Sequence, residues 1–448
     1  MLKKGSELPK KADSHTGAYL LLIFSSFLLY IVLTGAKNLY TAEKTTFYTL
    51  GTFGNLTDLA ATMEYYFYTY AAAQVALVFL IKFLNLKWYL TLSLGASALI
   101  TFAMAFTGRI TEHSILYALC GFLQAGVWGG TIKVLGQYLP ARLLPLGNQL
   151  MASGPAVAGA VAYGAASLFG ENWRIPFLLF GILLLLCVLL FFFSVTWVSR
   201  IPPETHTRQV VGKDGETVTV TETEEEEDDD FIHLKNRKRV IWFYVLSVIC
   251  GVALTGTYFA VNNNLDVFLK EIGGYSNDTA KLLTIIAPLV SAIGPIVIVW
   301  VCEWHKNFIT VCAVCFAMAL ALMGGLVFFF DANVTLSLLL LVSYLVIVNG
   351  GRSVTLSIAA LRMRERIDVG VYTTLINAAA SIVAGIAPKL ITMILDREEL
   401  SVHESWRTSF TTVFWWDFFI VFMLGACIVT VKLLNRKDRR AAEAENRI

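Results

Sequence analysis

Apolar blocks of about 20 residues recur along the whole chain, and this spacing constrains the fold more than any other feature. A helix of roughly 20 residues crosses a hydrocarbon layer of about 30 Å. Hydrocarbon offers backbone groups no outside partner, so each block must satisfy its own peptide groups as a helix. Hydrophobic residues make up 56% of the 448 and only 15% are charged, against roughly 25% charged in a soluble domain. Water is therefore not the main solvent. The alternation of a membrane barrel is absent.

Twelve spans are expected near 17–41, 64–85, 88–107, 114–138, 146–168, 175–198, 240–265, 279–301, 307–330, 334–360, 369–395 and 407–434. An even number puts both termini on one side, and Lys and Arg decide which. With the N-terminus inside, the inner segments hold Lys3, Lys4, Lys10, Lys11, Lys82, Lys87, Arg142, Arg200, Arg208, Lys213, Lys235, Arg237, Lys238, Arg239, Lys306, Arg362, Arg364, Arg366 and the tail Lys432 to Arg440. The outer loops hold only Lys44, Arg109, Arg174, Lys270, Arg397 and Arg407. The positive-inside rule then gives N-in, C-in. The sequons at Asn55, Asn277 and Asn333 fall in expected outer loops.

Residues 199–239 form the longest hydrophilic stretch, with the acidic run Thr221 to Asp230 followed by the basic cluster Lys235 to Arg239. Without apolar residues such a segment reads as a flexible cytoplasmic linker, with a regulatory surface as the sharper alternative. It separates a six-span bundle (1–198) from a second (240–434), ahead of a cytoplasmic tail (435–448). Val32-Leu33-Thr34-Gly35-Ala36 in span 1 and Ala253-Leu254-Thr255-Gly256-Thr257 in span 7 lie at corresponding depths, a trace of repetition. The seven cysteines all fall in apolar blocks without metal spacing and read as packing residues. No cleavable leader is expected, since Met1 to His15 is polar and no small-residue cleavage site follows.

Spans 4 and 5 carry Gly121-Phe-Leu-Gln-Ala-Gly-Val-Trp-Gly-Gly-Thr-Ile-Lys133, then Pro140-Ala-Arg142, Gly147-Asn148 and Ser153-Gly154-Pro155. This pattern resembles the organophosphate:phosphate antiporter branch of the major facilitator superfamily and, less specifically, its anion:cation symporter neighbours. Lys37-Asn38 and Phe268-Leu-Lys270-Glu271 are similar to further motifs of that branch. The resemblance implies an all-α membrane protein of twelve transmembrane helices in two pseudo-symmetric six-helix bundles, working by alternating access. The branch binds phosphate with one arginine in each of spans 1 and 7. The matching positions here are Ala36 and Tyr258, which departs from that clamp.

Charges inside spans are costly and usually face a cavity. Span 1 places Ser26, Tyr30, Thr34, Lys37 and Thr41 on one stripe ending in a cation, either lining the pathway or snorkelling to headgroups. Lys133, on the glycine side of span 4, is a substrate contact or a gate contact. Span 7 carries Thr255, Tyr258, Asn262 and Asp266; its Asn262-Asn263-Asn264 run is also a helix-ending signal. Span 8 aligns Lys281, Thr284, Pro288 and Ser291, with the proline suggesting a kink. Asn349-Gly-Gly-Arg352 gives span 10 a permanent cation that needs a substrate anion or Asp417 as partner. Glu64 opens a tyrosine-rich span 2 that includes Tyr70, and Asn377 with Ser381 forms a smaller stripe in span 11, with Lys389 nearer the outer face.

Cations outnumber acids at depth, which favours an anionic cargo. The expectation is a secondary transporter of the cytoplasmic membrane moving a small organic anion, such as a sugar acid, carboxylate or organophosphate. Lys37 and Arg352 are assigned charge recognition. Tyr30, Thr34, Tyr70, Tyr258, Asn262, Asn349 and Asn377 are polar contacts, and Lys133 is a second-rank cation. Glu64, Asp266 and Asp417 are candidates for proton uptake, so proton symport and anion exchange both fit. The alternatives are an exporter of lipophilic or drug-like compounds, which calls for an acidic recognition charge, and a non-transporting receptor or scaffold. The expected partners are the organic anion, the bilayer and protons or a counter-anion. The chain is expected to be monomeric and to use no metal, cofactor or nucleic acid. An enzyme is not expected, because no His-Glu metal motif, nucleophile elbow or phosphate loop is present.

Overall fold

The computed structural model describes residues 15–80, 83–140, 142–201, 209–211, 217–219, 237–305, 308–353 and 369–445. The N-terminal group of helices is α1 (Thr16–Leu50), α2 (Leu56–Leu80), α3 (Leu86–Met104), α4 (Ile110–Gln124), α5 (Val127–Tyr138), α6 (Leu144–Phe169) and α7 (Arg174–Val198). The C-terminal group is α8 (Arg237–Asn262), α9 (Leu265–Glu271), α10 (Asn277–Thr284), α11 (Ile286–Ser291), α12 (Ile293–His305), α13 (Phe308–Phe329), α14 (Val334–Ser353), α15 (Val369–Leu395) and α16 (Val402–Glu445). Among the described residues, eight helical segments are long and apolar enough to cross a membrane.

Three expected spans are broken, each for a local reason. Span 4 divides into α4 and α5 at Ala125–Gly126, inside its glycine-rich motif. Span 7 ends at Asn262, and α9 starts after the asparagine run. Span 8 becomes α10, α11 and α12. A proline ring clashes with the carbonyl four residues before it. Pro288 and Pro295 direct that clash at Thr284 and Ser291, where α10 and α11 end.

Span 1 is longer than expected. Residues 42–50 continue α1 to Gly51, whose φ of 61° closes the helix with its N–H on the carbonyls of Phe47 and Tyr48. The extension holds because Phe47 is buried against the rings of Tyr40, Phe53, His113 and Trp173. His113, in the first turn of α4, is likewise buried and bonds Thr107 Oγ1 at 2.8 Å. Within the expected linker, β1 (Gln209–Val211) pairs antiparallel with β2 (Thr217–Thr219). Their β-branched residues flank a Gly-Lys-Asp-Gly sequence, a hairpin signal the reading of the linker passed over. The acidic run lies outside the described residues.

Two large apolar clusters form the interior. One runs from Ala18 to Val198 and borrows Ala384; the other runs from Cys250 to Leu424 and borrows Leu56. Polar side chains cross between helices inside them, as in Ser25–Ser194 at 2.6 Å and Tyr66–Gln124–Ser97 at 2.7 Å each. Such bonds replace the solvent a membrane interior lacks. Phe79, Leu168, Trp304, Ile296 and Phe328 stand exposed on the outside. An apolar exterior over a partly polar interior suits hydrocarbon surroundings. The two groups meet where α2 packs on α15 and where α6 packs on α10 and α11. Gly385 on α15 and Gly159 on α6 permit these approaches. A Cβ on Gly385 would lie 3.1 Å from Phe67 Cβ and 3.2 Å from Glu64 Cα, and one on Gly159 would lie 3.1 Å from Pro288 Cβ.

Candidate functional site

The interface between the groups has two layers with different chemistry. The first is at the distal end of the bundle, where α1 stops at Leu50, opposite the end bearing its start. Here Glu43, Lys44, Asp266 and Lys281 are essentially inaccessible. Lys281 Nζ, on α10, donates to Glu43 Oε2 at 2.8 Å, to Thr46 Oγ1 at 2.6 Å and to the Ala166 carbonyl at 3.2 Å. Those are the three bonds an ammonium can make. Lys44 donates to Asn264 Oδ1 at 2.7 Å and to the Asn263 carbonyl, an acceptor left free where the helix breaks after Asn262. Thr45 donates to Asp266 Oδ2. Further along the rim, Lys389 donates to Glu64 Oε2 at 2.6 Å, Asp396 Oδ2 accepts from the Thr57 N–H and hydroxyl at 2.6 Å each, and Lys270 donates to Thr49. Most of the hydrogen bonds seen between the groups among the described residues lie toward this end. Toward the other end Lys133 and Gln137 of α5 are exposed.

The second layer is central. On α1, Tyr30, Thr34, Lys37 and Asn38 are part-exposed along one face while their neighbours are buried. Lys37 Nζ lies 5.5 Å from the centre of the Phe67 ring and, among the described residues, pairs with no carboxylate. From the other group, Arg352 holds its guanidinium 4.9 Å from the Tyr258 ring and 5.8 Å from the Phe259 ring. It donates to Asn349 Oδ1 at 2.9 Å, and Asn349 is fixed in turn by donating to the Ser291 carbonyl at 3.0 Å. The Tyr258 hydroxyl also meets Ser291, at 3.3 Å. Lys37 and Arg352 are near enough to repel each other, and Arg352 also acts on Tyr30. Tyr30 packs at 5.3 Å on Trp128 of α5, Tyr70 faces Asn377, and Phe67 meets Phe259 edge-on at 5.6 Å across the interface. Two cations from opposite groups thus share a region walled by aromatic rings. A ring face attracts a cation but cannot neutralise it, so Lys37 keeps its positive field.

The structure distributes the expected residues over more than one place. Lys37, Arg352, Tyr30, Thr34, Tyr70, Tyr258, Asn349 and Asn377 fall in the central layer, and Asn262 closes α8 between the layers. Lys133 is exposed and bonds nothing among the described residues. Asp417 is buried inside the C-terminal group, accepting from Tyr344 at 2.8 Å and facing Thr257. Glu64 belongs to the rim, bonded by Lys389 and by Tyr68, and Asp266 belongs to the distal seam. Lys44, expected in an outer loop, is buried because α1 continues past it. Glu43 was not anticipated, nor were Phe67 and Phe259. The stretch Ala42 to Phe47 is buried at every position, a pattern that short-range hydropathy hides behind its charges and threonines.

The sequence model of the Major Facilitator Superfamily matches residues 17–388. No curated protein sequence matches the chain. Among solved structures, it is similar to a bacterial homolog of the human lysosomal transporter Spinster in an inward-facing, occupied conformation, with 13% identity over 94% of this chain and 98% of that one and a TM-score of 0.68. It is similar to a D-xylose-proton symporter at 13% identity, covering 92% of this chain and 97% of that one, TM-score 0.66. The nucleoside transporter NupG matches at 14% identity, 92% and 99% coverage and TM-score 0.63. At such identities the likeness concerns the fold.

Proposed function

Because this chain belongs to the Major Facilitator Superfamily, we propose that its central layer binds a small organic anion and that the protein carries it across the cytoplasmic membrane by alternating access. The observation carrying the anion is the convergence of Lys37 and Arg352, one from each group, on ring faces. Burying Lys37 without a counter-charge is expensive, and an anionic cargo supplies that charge when it enters. An anion bridging both groups also rewards their closure around it, which ties binding to movement. The aromatic walls suit a carboxylate or sugar acid with an apolar face, and the absence of the arginine pair at Ala36 and Tyr258 makes an organophosphate the lesser candidate. The lipophile-exporter reading calls for an acid at the centre, a place that among the described residues holds none.

The same reading takes the twelve expected spans as two six-helix bundles, with both termini cytoplasmic and the distal end outside. The described state is then closed outside and open inside. Transport runs by proton symport or anion exchange, with Glu64, Asp266 and Asp417 as the acids available to protons, and the working unit is a monomer. The test is a thermal-shift screen of purified protein against organic acids and phosphates, followed by uptake into proteoliposomes. Organic acids should stabilise the protein and be taken up, with uptake lost in Lys37→Ala and Arg352→Ala. Stabilisation mainly by cationic or neutral lipophilic compounds would remove the anion from the reading.

A further inference from the structure

We infer that the quartet of Glu43, Lys44, Asp266 and Lys281 is the latch that closes the distal face, positioning the two groups rather than recognising cargo. Three observations converge on it. All four side chains are buried, at 0% or 1% exposure, in the seam between the two groups. The quartet is electrically balanced: α1 supplies an acid and a base in succession, and the C-terminal group answers with a base at Lys281 and an acid at Asp266. Glu43 meets Lys281 directly, while Lys44 is attracted by Asp266 and held by the Asn263 and Asn264 oxygens. Finally, every one of these bonds joins the two groups and none lies within one group. A balanced buried quartet neither favours closure strongly nor opposes it, because Coulomb attraction offsets lost hydration. Removing one member is different. Its partner stays buried and uncompensated, and only parting of the groups rehydrates it.

The latch rests on the two-state movement of the reading above but not on its anion, so it is tested without any cargo. The reporter is Ala42→Cys, in a chain whose native cysteines are replaced. Ala42 is fully buried beside Tyr163, Ala166 and Ile285, just beneath Glu43. A membrane-impermeant maleimide is applied from the distal side of sealed vesicles. In the parent chain the reporter should react slowly. Glu43→Gln and Lys281→Met should each speed labelling by roughly tenfold or more, since each strands one buried charge. The double variant Glu43→Gln/Lys281→Met should fall back toward the parent, because nothing charged is stranded. Single variants that label at the parental rate, or a double variant as fast as the singles, overturn the latch. If a single variant is recovered only as aggregate, Thr46→Val serves instead. It withdraws one acceptor from Lys281 and should raise labelling by about twofold to threefold; no change there overturns the latch equally. A failed ligand screen leaves this result standing, and the reverse holds too.

Discussion

Lys281 and Lys37 occupy the same interface and are housed in opposite ways. Lys281 is saturated: a carboxylate, a hydroxyl and a carbonyl take its three donors, and water is excluded. Lys37 is part-exposed and has a ring face for company. The comparison teaches that charge alone does not mark a binding residue in a membrane protein. A cation whose bonds are complete is part of the structure, and one left short of an anion has capacity to bind. On the reading proposed above, the difference also divides the work of transport, with closure at the distal seam and recognition at the centre.

The sharpest way to break this division is to truncate both lysines. Lys281→Met strands Glu43 in the seam, and losing one partner of a buried pair costs about 3–5 kcal/mol. That approaches the roughly 5.5 kcal/mol needed to invert a 1:99 population. Spin labels placed across the distal rim should therefore report a wide separation in Lys281→Met and a narrow one in the parent. Lys37→Met strands no acid, so its melting temperature without ligand should match or exceed the parent's. What it should lose is about 1.5–3 kcal/mol of anion binding, measured as the missing thermal shift. Equal destabilisation by both substitutions would erase the distinction.

Smaller effects sharpen the picture. Arg352→Lys keeps the charge but gives up the flat guanidinium over Tyr258 and Phe259, and anion affinity should fall by about 1–2 kcal/mol in calorimetry. Gly385→Ala puts a methyl group against Phe67 and Glu64, and should weaken the closed distal state by about 1 kcal/mol, read from the same spin-label distances. Arg407→Ala removes a 3.1 Å pair with Asp331 that is largely in water and lies within the C-terminal group. It should shift the melting temperature by less than the equivalent of about 1 kcal/mol.

The sequence shows the helices well because hydropathy is a local property. Span 11 ends with α15 at Leu395, and span 6 matches α7 within a residue. The stripe through Tyr30, Thr34 and Lys37 follows from helical spacing alone, so the central face of α1 was legible too. The distal seam was not. Glu43-Lys44-Thr45-Thr46 looks like a loop by composition, and only the burial of Phe47 beyond it shows that the helix continues. Lys281 was placed on the correct face of its span without a partner, since pairing depends on how two helix groups turn toward each other. Asp417 shows that pairing within one group is hidden as well: it was offered to Arg352 and instead accepts from Tyr344.

Gly385 has a mechanical consequence. It marks a close approach of α15 to α2, and a rigid tilt about that point would make the rest of α15 an arm reaching the rim. At 1.5 Å per residue, Lys389 lies about 6 Å along that arm and Asp396 about 16 Å. A tilt of about 10° about the fulcrum displaces the Lys389 level by only ~1 Å and the Asp396 level by ~3 Å. The clasp between Asp396 and Thr57 then parts first, while the lysine near the pivot stays seated on Glu64. The rim would come undone like a zip drawn from its open end, each tooth released by the travel its own radius allows.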